Sequence, residues 1–231
     1  MRISLLITLL SLLFPWNITS QTEVVKIDTI KLENLVAVLD TVWNTEQGPL
    51  RKRDSVRRIH GVDSEGFNYY QAIYKKNHVV NEEKVTYILD TYGWPKKSLI
   101  GMQGNWTIAN VLQHSSLEVR EKYLPMMKQA VEDDQLEARF LVRAEDRIAT
   151  DKGELQIYGG QMKYYPDTKS FNVWPVYDPA NIDERRAKIG LGPIKEFLKQ
   201  RFDFDWNLEE QTERSKTFQL EQKKSINKKN N

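Results

Sequence analysis

The sequence has no cysteine, and no second long apolar run follows the one at its N-terminus. The absence of cysteine excludes disulfides and all sites that depend on a thiolate. The sequence also lacks a nucleophile elbow, a phosphate-binding glycine loop and the paired histidines of a zinc site. No reaction can be read from a motif, no cofactor is expected, and stability must come from the packed core.

The apolar run at the N-terminus is the clearest single signal. Arg2 supplies a positive charge, and residues 3–14 are almost all apolar. Pro15 ends the run, and Ser20 offers a small residue before a cleavage point. This order is typical of a cleaved signal peptide over residues 1–20, and the run is shorter than the ~20 apolar residues that span a bilayer. We expect an exported chain, periplasmic or extracellular, with no transmembrane segment after cleavage.

Charge is balanced in the part of the chain that is expected to fold. The whole sequence has 34 basic and 32 acidic residues. Without Arg2 and the tail at 209–231, which holds six basic and four acidic residues, 27 basic and 28 acidic residues remain. No nucleic-acid partner is expected, because phosphate binding needs a concentrated basic surface. The expected partner is a small molecule or a component of the cell envelope.

Hydrophobic spacing predicts a mainly α-helical chain of class α+β. We expect one domain over 21–208, followed by a polar tail at 209–231 that is either a solvated helix or disordered. The segments near 155–164 and 171–177 carry strand and turn signals, which predict a small antiparallel sheet or hairpin in the C-terminal half.

Several residues carry signals for helix ends. Ile27 to Gln47 has apolar residues at three- and four-residue spacing, and Gly48-Pro49 predicts the end of that helix and the start of another. Asn81 is a predicted N-cap. Asn105 is a second one, for a helix from Trp106 to His114.

His114 lies at the end of that last helix, three residues after Val111 and beside its apolar stripe. Histidine exchanges protons near neutral pH, so this position suits a general acid or base. An interior histidine bonded to a carbonyl is the structural alternative. His60 and His78 have no comparable polar neighbours in the sequence.

An acid and an arginine stand side by side at Asp146 and Arg147. Neighbours diverge around a helix, so these two cannot pair along one face, and at least one needs a partner elsewhere. Asp146 is the candidate that orients or charges His114, and Arg147 is a candidate for holding an anionic group. No metal site is predicted, because these residues lack the local spacing of a ligand set.

Other polar residues lie beside the predicted strands or next to His114. The remaining candidates for ligand binding are Gln113, Gln156, Tyr158, Gln161, Asp178 and Arg185. Gly159-Gly160, among them, allows a backbone to approach closely. An ordinary structural ion-pair network is the alternative reading of the same set.

Short motifs occur along the chain in a fixed order. They are Gly-Trp-Pro at 93–95, Gln-His at 113–114, Asp-Arg at 146–147, Gly-x-x-Gln-x-Tyr-Gly-x-Gln at 153–161, Pro-Val-Tyr-Asp at 175–178 and Arg-Arg-Ala-x-x-Gly-Leu at 185–191. The ordered set, between Leu35 and Leu198, resembles a family of uncharacterised bacterial proteins classed only as a domain of unknown function. Gly160 stands where threonine is expected and Ser115 where alanine is expected. The resemblance implies the extent of a domain, with no known reaction, fold or ligand.

Two functions from different classes follow. The first is an exported hydrolase or lyase-like enzyme, with His114 as acid or base, Asp146 beside it, and Arg147 or Arg185 holding an anionic group. The second is a non-catalytic binding or structural domain, in which the same residues form a buried polar network or recognise a partner.

Overall fold

The computed structural model describes residues 29–229. The predicted signal peptide at 1–20 lies outside these residues. The described part consists of eight α-helices and a two-stranded antiparallel sheet near its C-terminal end. The predicted class, α+β in a single mainly helical domain with a small sheet in the C-terminal half, is confirmed.

The first five helices enclose the larger of two apolar cores. They are α1 (Leu35–His60), α2 (Glu65–Tyr92), α3 (Lys97–His114), α4 (Leu117–Glu132) and α5 (Ala138–Asp151). A short 3-10 helix at Leu32–Asn34 precedes α1. Leu39, Ile88 and Ile108, from three different helices, are at most 1% exposed in this core. Each such side chain stabilises the fold by about 1.5–3 kcal/mol through removal of apolar surface from water.

α1 passes through Pro49, so the helix end predicted at Gly48-Pro49 is wrong. A proline inside a helix removes one backbone hydrogen bond and leaves the carbonyl four residues earlier, that of Thr45, without its donor. Asn77 of α2 replaces that donor, because its Nδ2 donates to the Thr45 carbonyl at 2.9 Å. The helix continues because a neighbouring helix satisfies the group that proline cannot.

The two asparagines predicted as helix caps lie inside helices instead. Asn81, in α2, and Asn105, in α3, are each 2% exposed. Asn81 donates to Glu46 Oε1 at 3.0 Å, and Asn105 Oδ1 accepts from Trp94 Nε1 at 2.6 Å. The backbone of α3 departs from helical geometry at Gly101, where φ is 66°, and not at Asn105. Contacts between distant segments, and not capping, explain why asparagine stands at both positions.

The sheet is a hairpin of β1 (Met162–Tyr165) and β2 (Ser170–Val173). Met162 lies opposite Val173 in an antiparallel register. Both strands are shorter than the segments 155–164 and 171–177 that carried the strand signals. Residues 154–161, here called the 154–161 loop, connect α5 to β1 without joining the hairpin, and Gln156 forms only an isolated parallel bridge with Val176.

A smaller core lies between the end of the hairpin and the helices that follow it. These are a 3-10 helix (Pro179–Asn181), α6 (Ile182–Lys188) and α7 (Ile194–Phe202). Val176, Ile182, Ile194 and Leu198 are at most 2% exposed there. None of the helices between residues 29 and 229 combines the length and the apolar character that crossing a bilayer requires.

The polar tail forms the last helix, α8 (Leu208–Lys229). Its residue Gln211 is 0% exposed and Ser215 is 5% exposed, so one side of the helix is covered by protein. Ser215 Oγ accepts from the Val176 N–H at 3.1 Å, and Gln222 Nε2 donates to the Gly153 carbonyl at 3.0 Å. Polar side chains thus attach α8 to the hairpin and to the end of α5.

We expect Asn77→Ala to lower the free energy of unfolding by about 1–3 kcal/mol, because the Thr45 carbonyl would lose its replacement donor. In a Pro49→Ala background the same substitution should cost clearly less, since the alanine N–H restores the helical hydrogen bond. Urea unfolding of the four proteins of this double-mutant cycle measures the difference. An equal cost in both backgrounds would contradict the compensation.

Candidate functional site

Asp146 of α5 is 0% exposed and holds the 154–161 loop. Its Oδ1 accepts from the N–H groups of Ile157 and Tyr158, both at 2.8 Å. Its Oδ2 accepts from the Gly160 N–H at 2.7 Å. Burial raises the pKa of Asp146 to about 6, while the three backbone donors act in the opposite direction by stabilising the carboxylate. The loop is therefore fixed to α5 by one side chain.

Gln156 closes the same loop from within. Its side chain is 0% exposed. Nε2 donates to the Gln161 carbonyl at 3.1 Å, and Oε1 accepts from the Gln161 N–H at 2.8 Å. Nε2 also donates to the Trp174 carbonyl at 2.6 Å. The Gln156 amide thus binds both peptide groups of Gln161, whose carbonyl also accepts from the Trp174 N–H at 2.9 Å.

Arg185 and Asp178 tie the loop to the segment after the hairpin. The Arg185 guanidinium donates to the carbonyls of Ile157 at 3.2 Å and Asp178 at 3.0 Å, and also to that of Tyr177. The Asp178 carboxylate lies 3.7 Å from Arg185 Nη1. Arg185 is therefore bound mainly to backbone carbonyls.

Arg186 completes this set, and its part in the network was missed in the sequence. It is 2% exposed, and its Nη1 donates to the Tyr158 carbonyl at 2.8 Å. Two adjacent arginines thus contact the same loop. The sequence around Arg186 is a run of charged residues in a short helix, and such a run does not indicate that one of its side chains is buried.

These residues belong to the 154–161 loop, bind it through their side chains, or, in the case of Asp178, bind an arginine that does so. We call them the Asp146 network: Asp146, Gln156, Tyr158, Gln161, Asp178, Arg185 and Arg186. Within residues 29–229 no hydrogen bond or ion pair joins this network to His114. Gln113 is also apart from it, because its Nε2 donates to the Arg143 carbonyl at 3.4 Å and so links α3 to α5.

His114, the last residue of α3, lies in different surroundings. Part of the residue is exposed to solvent, and its ring meets the Tyr74 ring edge-on, with 6.2 Å between the centroids. Burial of the ring and the positive charge of Arg147 lower the pKa of His114 to about 4. Solvent at the exposed part opposes the effect of burial, but the imidazole is neutral at pH 7 in either case.

Glu46 and His78 form a buried pair next to Tyr74. Glu46 is 3% exposed, and its Oε1 lies 3.1 Å from His78 Nδ1 and accepts from Asn81 Nδ2 at 3.0 Å. The His78 ring stacks on Tyr74 at 5.7 Å between centroids. His78 Nε2 is buried and has no hydrogen-bond partner in the described part of the chain, where Glu82 Oε2 lies 3.8 Å away.

The Tyr74 hydroxyl is a second buried group without a regular hydrogen bond. Tyr74 is 8% exposed, and its buried hydroxyl makes no hydrogen bond of regular geometry in the described part of the chain, although the Glu46 carboxylate lies close enough to act as a weak acceptor. Burial, and next the negative charge of Glu46, raise the pKa of Tyr74. The Arg53 guanidinium lies 6.0 Å from the ring centroid. The hydroxyl therefore stays protonated, and the Glu46 carboxylate is the acceptor nearest in effect to its donor.

Arg147 brings a free positive charge to the same place. It is half-buried, and its side chain has no hydrogen bond or ion pair among residues 29–229. Its charge acts on both His114 and Tyr74. We call Glu46, Arg53, Tyr74, His78, His114 and Arg147 the histidine–tyrosine cluster. No group of three or more His, Cys, Asp or Glu residues in the described ranges is placed to hold a metal ion.

Sequence analysis missed Glu46, Tyr74 and His78 because it divided both long helices. Tyr74, His78 and Asn81 follow one another at spacings of four and three residues, which places them on one face of a continuous helix. With a helix start predicted at Asn81, that row was not recognised. A search for polar residues at helical spacing across the whole of α2 would have found it.

One comparison with known proteins gives a result. A model described as a family of unknown function (DUF6624) matches residues 71–206, more than half of the chain. The chain belongs to this family. The resemblance to a domain of unknown function is thereby confirmed. No curated protein and no solved structure matches the chain. The matched range contains Tyr74, His78, His114, Arg147 and the Asp146 network, whereas Glu46 and Arg53 precede it.

We expect Asp146→Asn to lower the free energy of unfolding at pH 7 by about 2 kcal/mol or more. An asparagine keeps the shape but turns one amide donor toward the loop N–H groups, which leaves at least one of them without an acceptor. Denaturant unfolding measures this loss. Asp63→Asn, at an exposed position, is the matched control and should change stability by less than about 0.5 kcal/mol.

The lowered pKa of His114 predicts a pH-dependent contribution to stability. The unfolded chain binds a proton on this imidazole more readily than the native chain, so stability from His114 is lost as the pH falls from 6.5 towards 4. His114→Gln cannot titrate and lacks this dependence. The free-energy difference between wild type and His114→Gln should favour the wild type more at about pH 7 than at about pH 4.5. The shift should be about 1–2 kcal/mol, because solvent reduces the effect. Urea unfolding at both pH values tests this, and a shift of the opposite sign would contradict it.

Proposed function

We propose that the histidine–tyrosine cluster is the active site of an acid–base enzyme, a hydrolase that acts on a small anionic molecule. The observation that supports this most is the neutral, partly exposed imidazole of His114 beside the unpaired cation of Arg147. A general base needs a free lone pair that a substrate can reach, and an anionic substrate needs a cation that is not already paired. His114 and Arg147 provide the two together.

Binding of an anion would activate His114 as a base. An imidazole with a pKa near 4 is a weak base at neutral pH, and the charge of Arg147 is one cause of that value. An anionic group bound to Arg147 neutralises this charge and adds a negative one nearby. Both changes raise the pKa of His114 towards the operating pH, where proton acceptance is most effective.

His114, Arg147 and Tyr74 have complementary roles in hydrolysis. His114 accepts a proton from a water molecule, whose oxygen adds to the electrophilic centre of the substrate, and the same proton then passes to the leaving group. Arg147 holds the anionic part of the substrate through its planar pair of N–H donors. The Tyr74 hydroxyl, a buried donor held only weakly by Glu46, turns to the substrate and stabilises the oxygen on which negative charge develops.

Glu46 and His78 act as positioning residues. Glu46 fixes the His78 ring through Nδ1 at 3.1 Å, and the His78 ring in turn supports the face of Tyr74. Neither is assigned a contact with the substrate. A buried carboxylate bonded to a histidine and an amide keeps a defined orientation, which a tyrosine that must donate to one point requires.

A non-catalytic binding or structural domain is the second candidate function. This candidate is supported by the Asp146 network, in which the side chains of Asp146, Gln156 and Arg185 form hydrogen bonds with backbone groups. If the protein is a binding domain, the histidine–tyrosine cluster holds a ligand without converting it. Asp146, Asp178 and Arg185 shape the protein in both versions, and their substitution lowers activity only through the fold.

Export is part of the proposal. The arginine and apolar run of residues 1–20 support a signal peptide, with the mature domain at 21–208 and a small molecule or envelope component as its partner. Determination of the N-terminal residue of the protein purified from its native cell tests this. A first residue near Gln21 is expected, and an intact N-terminus would contradict export by cleavage.

We expect the wild-type protein to hydrolyse at least one of four chromogenic classes: carboxylate-bearing esters, amides, phosphate esters or glycosides. On that substrate His114→Gln should lower kcat about 100-fold or more, which is the usual contribution of a general base. Arg147→Met should act mainly by raising KM. His60→Gln, which changes an exposed histidine at the end of α1, is the matched control and should keep full activity.

Turnover in His114→Gln that equals turnover in His60→Gln would rule out His114 as the base. Absence of turnover in the wild type, together with an anion-dependent rise of Tm that Arg147→Met abolishes, would favour the binding domain. Absence of both effects would leave the cluster as a structural feature of the fold.

A further inference from the structure

A cavity of about 450 Å³ lies between α5 and the turn that connects α6 to α7. Arg139 and Arg143 of α5 form one side, Gly192 and Phe197 form the other, and Gly160 of the 154–161 loop also lines it. Its volume falls within the range of small-molecule sites in proteins, which is about 300–1,000 Å³. None of the residues of the histidine–tyrosine cluster lines it.

Arginines outnumber carboxylates in the lining of the cavity. Three arginines line it, Arg139, Arg143 and Arg186, against one carboxylate, that of Glu196. Arg139 pairs with Glu137 at 2.9 Å, and Arg186 donates to the Gly192 carbonyl at 2.7 Å. Asp183 and Asp146 also act on Arg186 from outside the lining, so the remaining positive charge is centred on Arg143. A cation in a concave, low-dielectric site attracts anions.

Arg143 is the arginine with unused donors. Its guanidinium has no hydrogen bond or ion pair within residues 29–229, although the residue is half-buried. Burial lowers the pKa of Arg143, and the like charges of Arg201 and Arg139 act in the same direction, against a smaller opposite effect of Glu137. A half-buried cation among other cations is an unfavourable arrangement unless an anion joins it.

The rest of the lining is largely apolar. Val142, Leu191, Pro193 and Phe197 contribute side chains to the cavity, and the Arg186 guanidinium lies 4.8 Å from the Phe197 ring centroid. A hydrated inorganic ion would leave this surface in contact with water. A ligand with an apolar body removes that surface from water as it binds.

We propose that this cavity is a second binding site, for an amphipathic anion in which one carboxylate or phosphate meets Arg143 and an apolar body lies against Phe197 and Leu191. The anionic group gives Arg143 the acceptor that it lacks, and the fork of the guanidinium suits both oxyanions. The apolar body adds affinity through contact with the apolar lining. A bare ion lacks this second contribution, and a neutral hydrocarbon lacks the contact with Arg143. The site is separate from the proposed active site.

Fluorescence titration of the full-length protein with 8-anilinonaphthalene-1-sulfonate tests the proposal, because this probe joins an aromatic body to one anionic group. We expect saturable binding of one probe per chain. Arg143→Met should weaken binding roughly tenfold or more, and Glu196→Gln should strengthen it, since it removes the one negative charge from the lining. Arg51→Met, at an exposed position of α1, is the matched control and should bind as the wild type does.

Competition identifies the ligand chemistry. Octanoate and octyl phosphate should displace the probe, and the better competitor indicates which oxyanion the site takes. Octanol should compete at least roughly tenfold less well, because it has no charge for Arg143. Equal competition by octanol, or equal affinity of Arg143→Met and Arg51→Met, would overturn the proposal. Glu196→Gln keeps the test decisive if Arg143→Met does not fold, since unchanged affinity in that variant would also contradict it.

Discussion

The carboxylate of Asp146 and the three backbone N–H groups that donate to it determine how the two halves of the protein meet. α5, which carries Asp146, belongs to the larger core, and the 154–161 loop leads into the hairpin and the smaller core. Each side of this contact needs the other. A buried carboxylate costs several kcal/mol unless donors surround it, and the N–H groups of Ile157, Tyr158 and Gly160 have no other acceptor in the described part of the chain.

Side chains of α5 contribute to three different sites because they point in different directions from the helix. Asp146 faces the loop, while Arg147, the next residue and more than a quarter turn away, faces α2 and α3. Arg143, one turn earlier, faces the cavity beside α7. Helix geometry alone predicts that Asp146 and Arg147 point in different directions. As a result Asp146 belongs to the structural network, and Arg147 remains a free cation in the histidine–tyrosine cluster.

Local signals in the sequence predicted the elements that depend on local contacts. The hairpin and the mainly helical class follow from turn residues and spacing, whereas residues 155–161, which carried strand signals, form a loop. Pro49 could not be placed correctly, because the donor that allows the helix to continue is Asn77 on another helix. The row of Tyr74, His78 and Asn81 was hidden for a related reason, since it exists only if α2 is unbroken.

Three polar side chains of α8 bind main-chain groups of neighbouring segments. Arg214 donates to the Val173 carbonyl, Ser215 accepts from the Val176 N–H, and Gln222 donates to the Gly153 carbonyl. Main-chain groups are the same whichever side chain a residue carries. These three bonds therefore survive substitution of the residues that they reach, whereas Asn172 of β2, whose side chain binds Glu210 and Gln211, has little freedom to vary.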